Sequence, residues 1–560
     1  MLDALNDPEI SRTHQTFPVL STEDQARVAP FGERVRFEAA DLLVSAGSPV
    51  QGLYFILEGA VEGRRRDGLG RSKLVREFHA GEFVGELGAL TGAPALIDGR
   101  AVGQVVALLV TPARLRALII AEAELGERLM RALILRRVGH IGSGVAGPMF
   151  VGDASSPSLI QLERFLWRNT QPYHTLDART NSEAAALLEH HGAAGHDVLV
   201  ICPDGSALIN PVEHALASRL GMVNQDQHTN VYDVLIVGAG PAGLATAVYA
   251  ASEGLSVAGL DCRSFGGQAG ASTRIENYLG FPTGITGQAL TGRAFVQAQK
   301  FGAQMLIPSQ VVALDCTRAH TANESTVTLA DGRAITARCI VVASGARYRR
   351  PEIKGIAEYE GKGVWYWASA LEAQVCAKQS VVLVGGGNSA GQAAVYLARH
   401  ASTVFMVIRG NGLSKTMSRY LIDRIEASKN IQLKTRTEIA EVVGDPETGV
   451  SGVRLRHRID GEEEFMSLAN VFMFVGADPE TEWLHSCGVE VDSAGFVLTG
   501  DDLPGERTPK PAALETSVPG IFAVGDVRSG SVKRVGSAIG EGAMVVPMVH
   551  RRIAALVDQR

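Results

Sequence analysis

Two glycine-rich turns carry the residues whose types and spacing suit cofactor chemistry. In the first, Tyr232 to Gly243 (YDVLIVGAGPAG), a short apolar strand feeds a turn. Gly238 and Gly240 let the backbone approach a pyrophosphate, Pro241 and Ala242 open a helix, and Gly243 lets that helix pack close to its strand. Asp261 follows about twenty residues later, at the end of a second apolar strand (Leu255 to Leu260), where a carboxylate can accept hydrogen bonds from a ribose. The second turn, Ser380 to Ala390 (SVVLVGGGNSA), repeats the pattern with Gly385, Gly387, Asn388 and Ser389. Its following strand, Thr403 to Ile408, ends in Arg409 and not in an acid, and Lys415 and Arg419 lie nearby. A basic group at that point accommodates a 2′-phosphate, so NADPH is expected there rather than NADH. Either turn alone also fits a tight strand-to-helix connection with no ligand. Together they suit a chain that binds two dinucleotides at once.

A third element is Gly520 to Asp526 (GIFAVGD), followed by Lys533 to Val546 (KRVGSAIGEGAMVV). Asp526, after Gly525, closes a buried strand where it can bond a ribityl chain, and a helix starting at Gly540 to Val546 is expected to aim its positive end at a flavin ring. Six phrases occur in order: GAGPAG, GGQA (Gly266 to Ala269), RIENYLGFPTG (Arg274 to Gly284), ASGA (Ala343 to Ala346), VGGGNSA and AVGD. In this order they resemble the low-molecular-weight thioredoxin reductase family, over roughly residues 231 to 560. The resemblance implies an FAD domain split into residues 231–348 and 476–560 around an inserted NADPH domain, 349–475, and a homodimer. It places the adenine end of FAD on Gly238, Gly240, Gly243 and Asp261, and the ring end on Gln268 and Asn277 on one side and Asp526, Arg534 and Val535 on the other. Gly267, Ser344, Gly345 and Gly525 belong to the same motifs.

The chain departs from that family where it matters chemically. The family carries a Cys-x-x-Cys pair shortly before its second glycine motif, in a phrase resembling SYCATCDG. The corresponding stretch here is Gly363 to Leu371, GVWYWASAL, with Trp367 and Ala370 where the cysteines stand in the family. Without a vicinal thiol pair, electrons cannot leave by thiol–disulfide exchange. The six cysteines (202, 262, 316, 339, 376 and 487) lie scattered, so each is expected to be a buried small residue, with no disulfide framework and no zinc site. Trp367 either covers the flavin face that the dithiol would have met or packs at a domain face or hinge. No side chain is identified as a general acid or base, and no catalytic residue is assigned.

At 560 residues the chain is long enough for three or four domains, and a net charge of -7 excludes an electrostatic case for nucleic acid. The basic run Arg64 to Arg66 is flanked by glycine turns and reads as a solvated hairpin tip. No apolar run reaches the ~18 residues needed to span a membrane, and the first residues lack a secretory pattern, so a cytoplasmic location is expected. The histidines show no metal-ligand spacing.

Residues 17–145 show short strands (Leu42 to Ser45, Leu53 to Leu57, Leu74 to Phe78) and then helical periodicity from Thr111 to Val138, a β-roll pattern. Gly81 to Ala101 resembles the phosphate-binding cassette of cyclic-nucleotide-binding domains. By that resemblance Glu86 is the ribose-contacting glutamate, Ala95 and Leu96 replace the cassette arginine, and Arg100 is the nearby substitute, which implies an altered regulatory domain for a nucleotide ligand. A Gly/Ser-rich linker is expected at Gly139 to Gly147. Beyond it, residues 147–222 resemble a thioredoxin or glutaredoxin fold, with a helix from Pro157 to Arg168 and the phrase FLWRNTQPYHTLD. Ser155-Ser156-Pro157-Ser158 stands where that fold carries its redox pair, so this unit reads as a structural adaptor, joined onward by the polar linker Asn224 to Asn230.

The expected fold class is α/β: two Rossmann-like (three-layer ββα) dinucleotide-binding domains, preceded by a β-roll domain and a small thioredoxin-like α/β domain. The expected function is an FAD oxidoreductase that takes hydride from NADPH and passes electrons to a non-thioredoxin acceptor such as a quinone, oxygen, a ferredoxin-like protein or another flavin. The alternative is an NADPH/flavin redox sensor read out by the N-terminal domain.

Overall fold

The computed structural model describes residues 12–144, 146–223, 231–319, 324–368 and 370–557. The expected linker Asn224 to Asn230 lies outside the described residues. Among them, no helix is long and apolar enough to cross a membrane.

The first unit is an antiparallel roll built on the long strand Leu53–Arg66, which pairs with Ser72–His79 on one side and Asp98–Val110 on the other; Glu33–Phe37 adds to the far edge of Asp98–Val110. Leu53, Phe55 and Phe83 of the roll pack on Leu115, Leu118, Leu125, Leu129 and Leu133 of the helices Pro112–Ala121 and Ala123–Ser143. The second helix runs through most of the expected linker. Gly139 and Gly142 each cost about 1 kcal/mol of helix propensity, yet the apolar stripe behind them carries the helix on until Gly144, at φ 58°, ends it in the left-handed conformation. The Arg64 to Arg66 hairpin is not a solvated tip either. A Cβ on Gly68 would stand 2.7 Å from Leu187 and 2.9 Å from Ile201, both in the next unit, and Arg66 pairs with Asp98.

That next unit has four strands in the order Ala207–Ile209, Leu199–Ile201, Met149–Gly152, His174–Asp177. The last two run parallel and are joined through the helix Pro157–Arg168. Ser156 caps this helix by accepting a bond from the Leu159 N–H, and Pro157 takes the first turn, where its missing N–H costs nothing. Leu159, Leu162, Phe165 and Leu166 form its buried stripe, leaving Arg164, Trp167 and Arg168 for the rest of the molecule.

Two further sheets hold the glycine turns. In the first, Tyr232–Val237 lies between Val257–Leu260 and Ala334–Val342, all parallel. Val234, Leu235 and Ile236 are buried without alternation, as a parallel sheet covered on both faces requires. The distant strand Ile521–Ala523 adds beside Ala334–Val342, with Ile340 opposite Ile521, so sequence-distant halves make one sheet. In the second, the parallel order is Val364–Trp365, Asn470–Met473, Ser380–Val384, Thr403–Val407, Ile431–Lys434, next to a three-stranded antiparallel sheet.

Two expectations are corrected here. The C-terminal helix starts at Val535 and not near Gly540, because Glu541 reaches back from its second turn to the Gly525 N–H and to Arg528, fixing the first turn against the preceding strand. Cys316 and Cys487, read as isolated, form a disulfide with Cα atoms 5.4 Å apart. Their separation of 171 residues hides the pair from any local spacing rule; the strand Val311–Asp315 and the turn Glu482–Cys487 bring them together.

Candidate functional site: a two-turn dinucleotide cleft

Both glycine turns open on one cleft of about 2900 Å³, several times what a single drug-sized ligand fills. The glycines divide into two kinds. A Cβ on Gly238 would meet the Ala343 carbonyl at 2.2 Å, one on Gly243 the Gly238 carbonyl at 1.9 Å, and one on Gly385 the Phe474 carbonyl at 2.4 Å. Those three are demanded by backbone packing. A Cβ on Gly387 would meet nothing within 4 Å and one on Gly240 only the Gly267 Cα at 3.9 Å, so these two face open cleft. Each precedes a helix, Pro241–Ser252 or Asn388–Leu397, whose first N–H groups have no side-chain cap. An uncapped N-terminus at the floor of a cleft suits a diphosphate. The chain's residues therefore fit a dinucleotide at each turn.

The Asp261 carboxylate, expected at a ribose, is engaged by the turn itself. Its Oδ2 accepts the Ala239 N–H at 3.0 Å, inside the glycine turn, while Oδ1 accepts those of Arg263 at 3.1 Å and Ser264 at 3.2 Å. Burial pushes its pKa up and these three bonds oppose the shift. Around the first turn, Gly267 and Gln268 line the cleft, with the Gln268 amide donating to the Ala346 carbonyl. Ser344 donates to the Glu480 carbonyl at 2.8 Å, and Gly345 and Asn277 also face the cleft. Asp526, Arg534 and Val535 line its opposite wall; burial raises the Asp526 pKa and Lys533 opposes the rise.

Around the second turn, the Asn388 Oδ1 accepts the Ser418 N–H at 2.7 Å, and Ser389 sits beside it. Arg409 and Lys415 are exposed on the cleft side, whereas Arg419 is paired with Asp423 on its own helix. Of the residues expected at the two dinucleotides, Gly243, Gly525 and Arg419 do not line the cleft; Gly525 gives its N–H to Glu541 at 2.6 Å.

Several participants carried no signal in the motifs. Glu541 and Arg528 form a two-point ion pair that anchors the Gly525 turn. Trp167, Arg168 and Tyr173, all from the four-stranded unit, line the cleft too. Trp367 belongs to the junction of units: its indole N–H donates to the Glu372 Oε1 at 3.0 Å, and the same fully buried carboxylate accepts Arg164 at 2.6 Å. Trp367 also lines the cleft, so it stands both at a domain face and on the cofactor side.

In the β-roll, the Glu86 carboxylate is engaged. Oε1 accepts the Gly88 N–H at 2.8 Å and Oε2 takes Arg137 through both Nε and Nη2, at 2.8 and 2.5 Å. Glu86 thus has a partner inside the unit: a helix residue 51 positions further along supplies a guanidinium that local motif matching does not register. Arg137 continues to the Thr170 carbonyl and the Gln171 side chain, at 3.4 and 3.3 Å. Arg100 is exposed on the strand Asp98–Val110.

The fold and the paired turns define an NAD(P)H-dependent flavin oxidoreductase, with a cyclic nucleotide-binding domain ahead of it. Residues 232–542 match the pyridine nucleotide-disulphide oxidoreductase family, to which the chain belongs, and residues 34–122 match the cyclic nucleotide-binding domain family. A thioredoxin reductase from Listeria innocua is 31% identical over 328 residues, covering 59% of this chain and 96% of that protein. One from Bacillus subtilis is 33% identical over 330 residues, covering 59% and 96%. Among solved structures, the Lactococcus lactis thioredoxin reductase in its FR conformation aligns with a TM-score of 0.52 at 27% identity, covering 58% of this chain and 99% of that one. The T. acidophilum thioredoxin reductase aligns with 0.52 at 30% identity, covering 57% and 98%.

Proposed function

We propose that the chain takes reducing equivalents from NADPH into FAD and delivers them to an acceptor other than a thioredoxin. Bound FAD supplies the electron-carrying chemistry, receiving hydride from NADPH and releasing electrons to the acceptor. The observation that carries this reading is the sequence GVWYWASAL at the family's dithiol position, where Trp367 is tied to Glu372 and no Cys-x-x-Cys occurs anywhere in the chain. Gly238, Gly240, Gly267, Gln268, Asn277, Ser344, Gly345, Asp526, Arg534 and Val535 hold FAD in this account, with Gly243, Gly525 and Asp261 shaping its turns. Gly385, Gly387, Asn388, Ser389, Arg409 and Lys415 hold NADPH. The topology of the four-stranded unit supports the thioredoxin-like reading of that segment, here without its thiols. A homodimer is proposed on the family relation.

The test is anaerobic mixing with NADPH, and separately NADH, while the flavin band is followed, and then multiple turnover with a quinone, oxygen or thioredoxin. Rapid bleaching by NADPH with turnover on a non-thiol acceptor is the expected outcome. Efficient thioredoxin reduction refutes the acceptor assignment. A second reading, a redox sensor, draws on one observation: Arg137 joins the Glu86 cassette to residues 170 and 171 of the unit that lines the cleft. Slow turnover on every acceptor favours it.

A further inference from the structure

Two cations lining the cleft, Arg164 and Arg168, come from outside both glycine-turn units, and Arg164 is taken by Glu372. Arg168 ends the helix Pro157–Arg168, and it lines the cleft with Asp261 and Gly267. Burial holds its pKa below the ordinary arginine value; Arg263 adds to the depression and Asp261 opposes it. Yet among the described residues its guanidinium pairs with no carboxylate. The Asp261 carboxylate is engaged by three backbone N–H groups, and Glu213 is taken by Arg263. The Arg168 side chain makes one hydrogen bond, from Nη2 to the Gly267 carbonyl at 3.1 Å. A guanidinium has about five N–H donors, so most of its capacity is left over.

Gly267 relates that capacity to the first turn. A Cβ on Gly267 would stand 3.0 Å from the Gly240 Cα, and Gly240 is the uncapped start of the helix Pro241–Ser252. Two sources of positive potential, a helix N-terminus and a largely buried guanidinium, therefore converge on one place, where the Asp261 carboxylate is already engaged by three backbone N–H groups. We propose that Arg168 binds the diphosphate of FAD, so that the unit spanning residues 149–219 completes the flavin site. This rests on the reading of the first turn as the FAD site. The 2′-phosphate of NADPH is not its partner, because Arg409 and Lys415 stand at the other turn. Contacts away from the anion hold the unit in place: Asn169 Nδ2 donates to the Arg263 carbonyl at 3.0 Å, and Gln288 Nε2 donates to the Trp167 carbonyl at 2.7 Å.

The experiment removes flavin from the full chain and titrates FAD back by quenching of flavin fluorescence, with the FAD-to-protein ratio of the purified holoenzyme as a second readout. Arg168→Met keeps the aliphatic stem; Arg168→Gln is the second variant, so that misfolding of one leaves the other to decide. Loss of a charge-assisted contact is expected to raise the FAD dissociation constant by about tenfold to a hundredfold, with NADPH binding unchanged and Arg168→Lys in between. Gln288→Ala, which loosens the docking of the same unit without touching the cleft, is expected to stay within about twofold. Wild-type FAD affinity in the Met and Gln variants overturns the proposal, as does an equal loss in Gln288→Ala. If the wild-type apoprotein takes up no FAD, the flavin reading itself fails, and the proposal with it.

Discussion

Glu541→Ala is the sharpest test of how the C-terminal helix is fastened to the Gly525 turn. The Glu541 carboxylate accepts Arg528 Nη2 at 2.6 Å and Nε at 3.3 Å, and takes the Gly525 N–H at 2.6 Å. Both side chains are largely shielded, with 12% of Glu541 and 17% of Arg528 exposed. Removing one partner of a buried pair costs about 3–5 kcal/mol, and orphaning a backbone N–H adds about 1–3 kcal/mol when burial is complete. Residual exposure places the total near about 4 kcal/mol. For a unit of this size, each kcal/mol lowers the melting point by about 2–4 °C, so the drop is about 8–16 °C. Glu541→Gln keeps one acceptor oxygen, enough for the Gly525 N–H and Arg528 Nε, but turns an NH2 toward Arg528 Nη2, and should lose about 2 kcal/mol, or about 4–8 °C. The transition to follow is the one in which flavin fluorescence is released, since the chain has several units and need not unfold in one step. Alanine and glutamine variants that both melt within about 1 °C of wild type would refute the reasoning.

Other expectations follow from single contacts. Gly385→Ala puts a Cβ 2.4 Å from the Phe474 carbonyl at φ 141°, so NADPH binding should be lost while FAD content is retained, read by calorimetry and absorbance. Arg409→Ala should raise the KM for NADPH by about tenfold and leave that for NADH unchanged, measured in steady state; equal changes for both would place the 2′-phosphate elsewhere. Cys316→Ser removes a crosslink worth about 2–4 kcal/mol, and the wild-type protein should show the same loss of thermal stability on full reduction. In the β-roll, burial raises the Asp24 pKa, but the Arg128 guanidinium and the Ser21 contacts outweigh it and hold the value below 3.8. The stability Asp24 contributes is thus complete above the unfolded value and drains as pH falls through the lower folded one. Acid titration of Asp24→Asn by circular dichroism should lack that loss.

Legibility from sequence followed distance along the chain. Gly238, Gly243 and Gly385 were readable because each turn clashes with backbone a local motif already implies, and the helix Pro157–Arg168 was readable to the residue because Ser156 and Pro157 mark its start and an apolar stripe its length. The start of the last helix was misplaced because its anchor, Glu541 to Arg528, is a tertiary contact. Cys316 with Cys487, Glu86 with Arg137, and Arg168 with Gly267 were out of reach for the same reason: each joins residues far apart along the chain whose relative placement no periodicity encodes. Glu86 is of the family's type, but its carboxylate already has a partner.

The Glu86–Arg137 pair makes the cassette a site with an incumbent. Any ligand hydroxyl that uses this carboxylate must displace a guanidinium held through two nitrogens, with 11% of Arg137 and 14% of Glu86 exposed. Its apparent affinity is therefore its intrinsic affinity reduced by the fraction of molecules in which Arg137 has let go. The displaced guanidinium would exchange its share of the Thr170 carbonyl and Gln171 as well, two residues beyond Arg168. Reciprocity then requires that whatever tightens residues 168–171 on the cleft strengthens the incumbent and weakens the challenger by the same factor. Calorimetry of a cyclic nucleotide with wild type and Arg137→Ala, each with and without FAD, measures that factor directly; identical isotherms in all four would show that the two ends of the pair do not speak to each other.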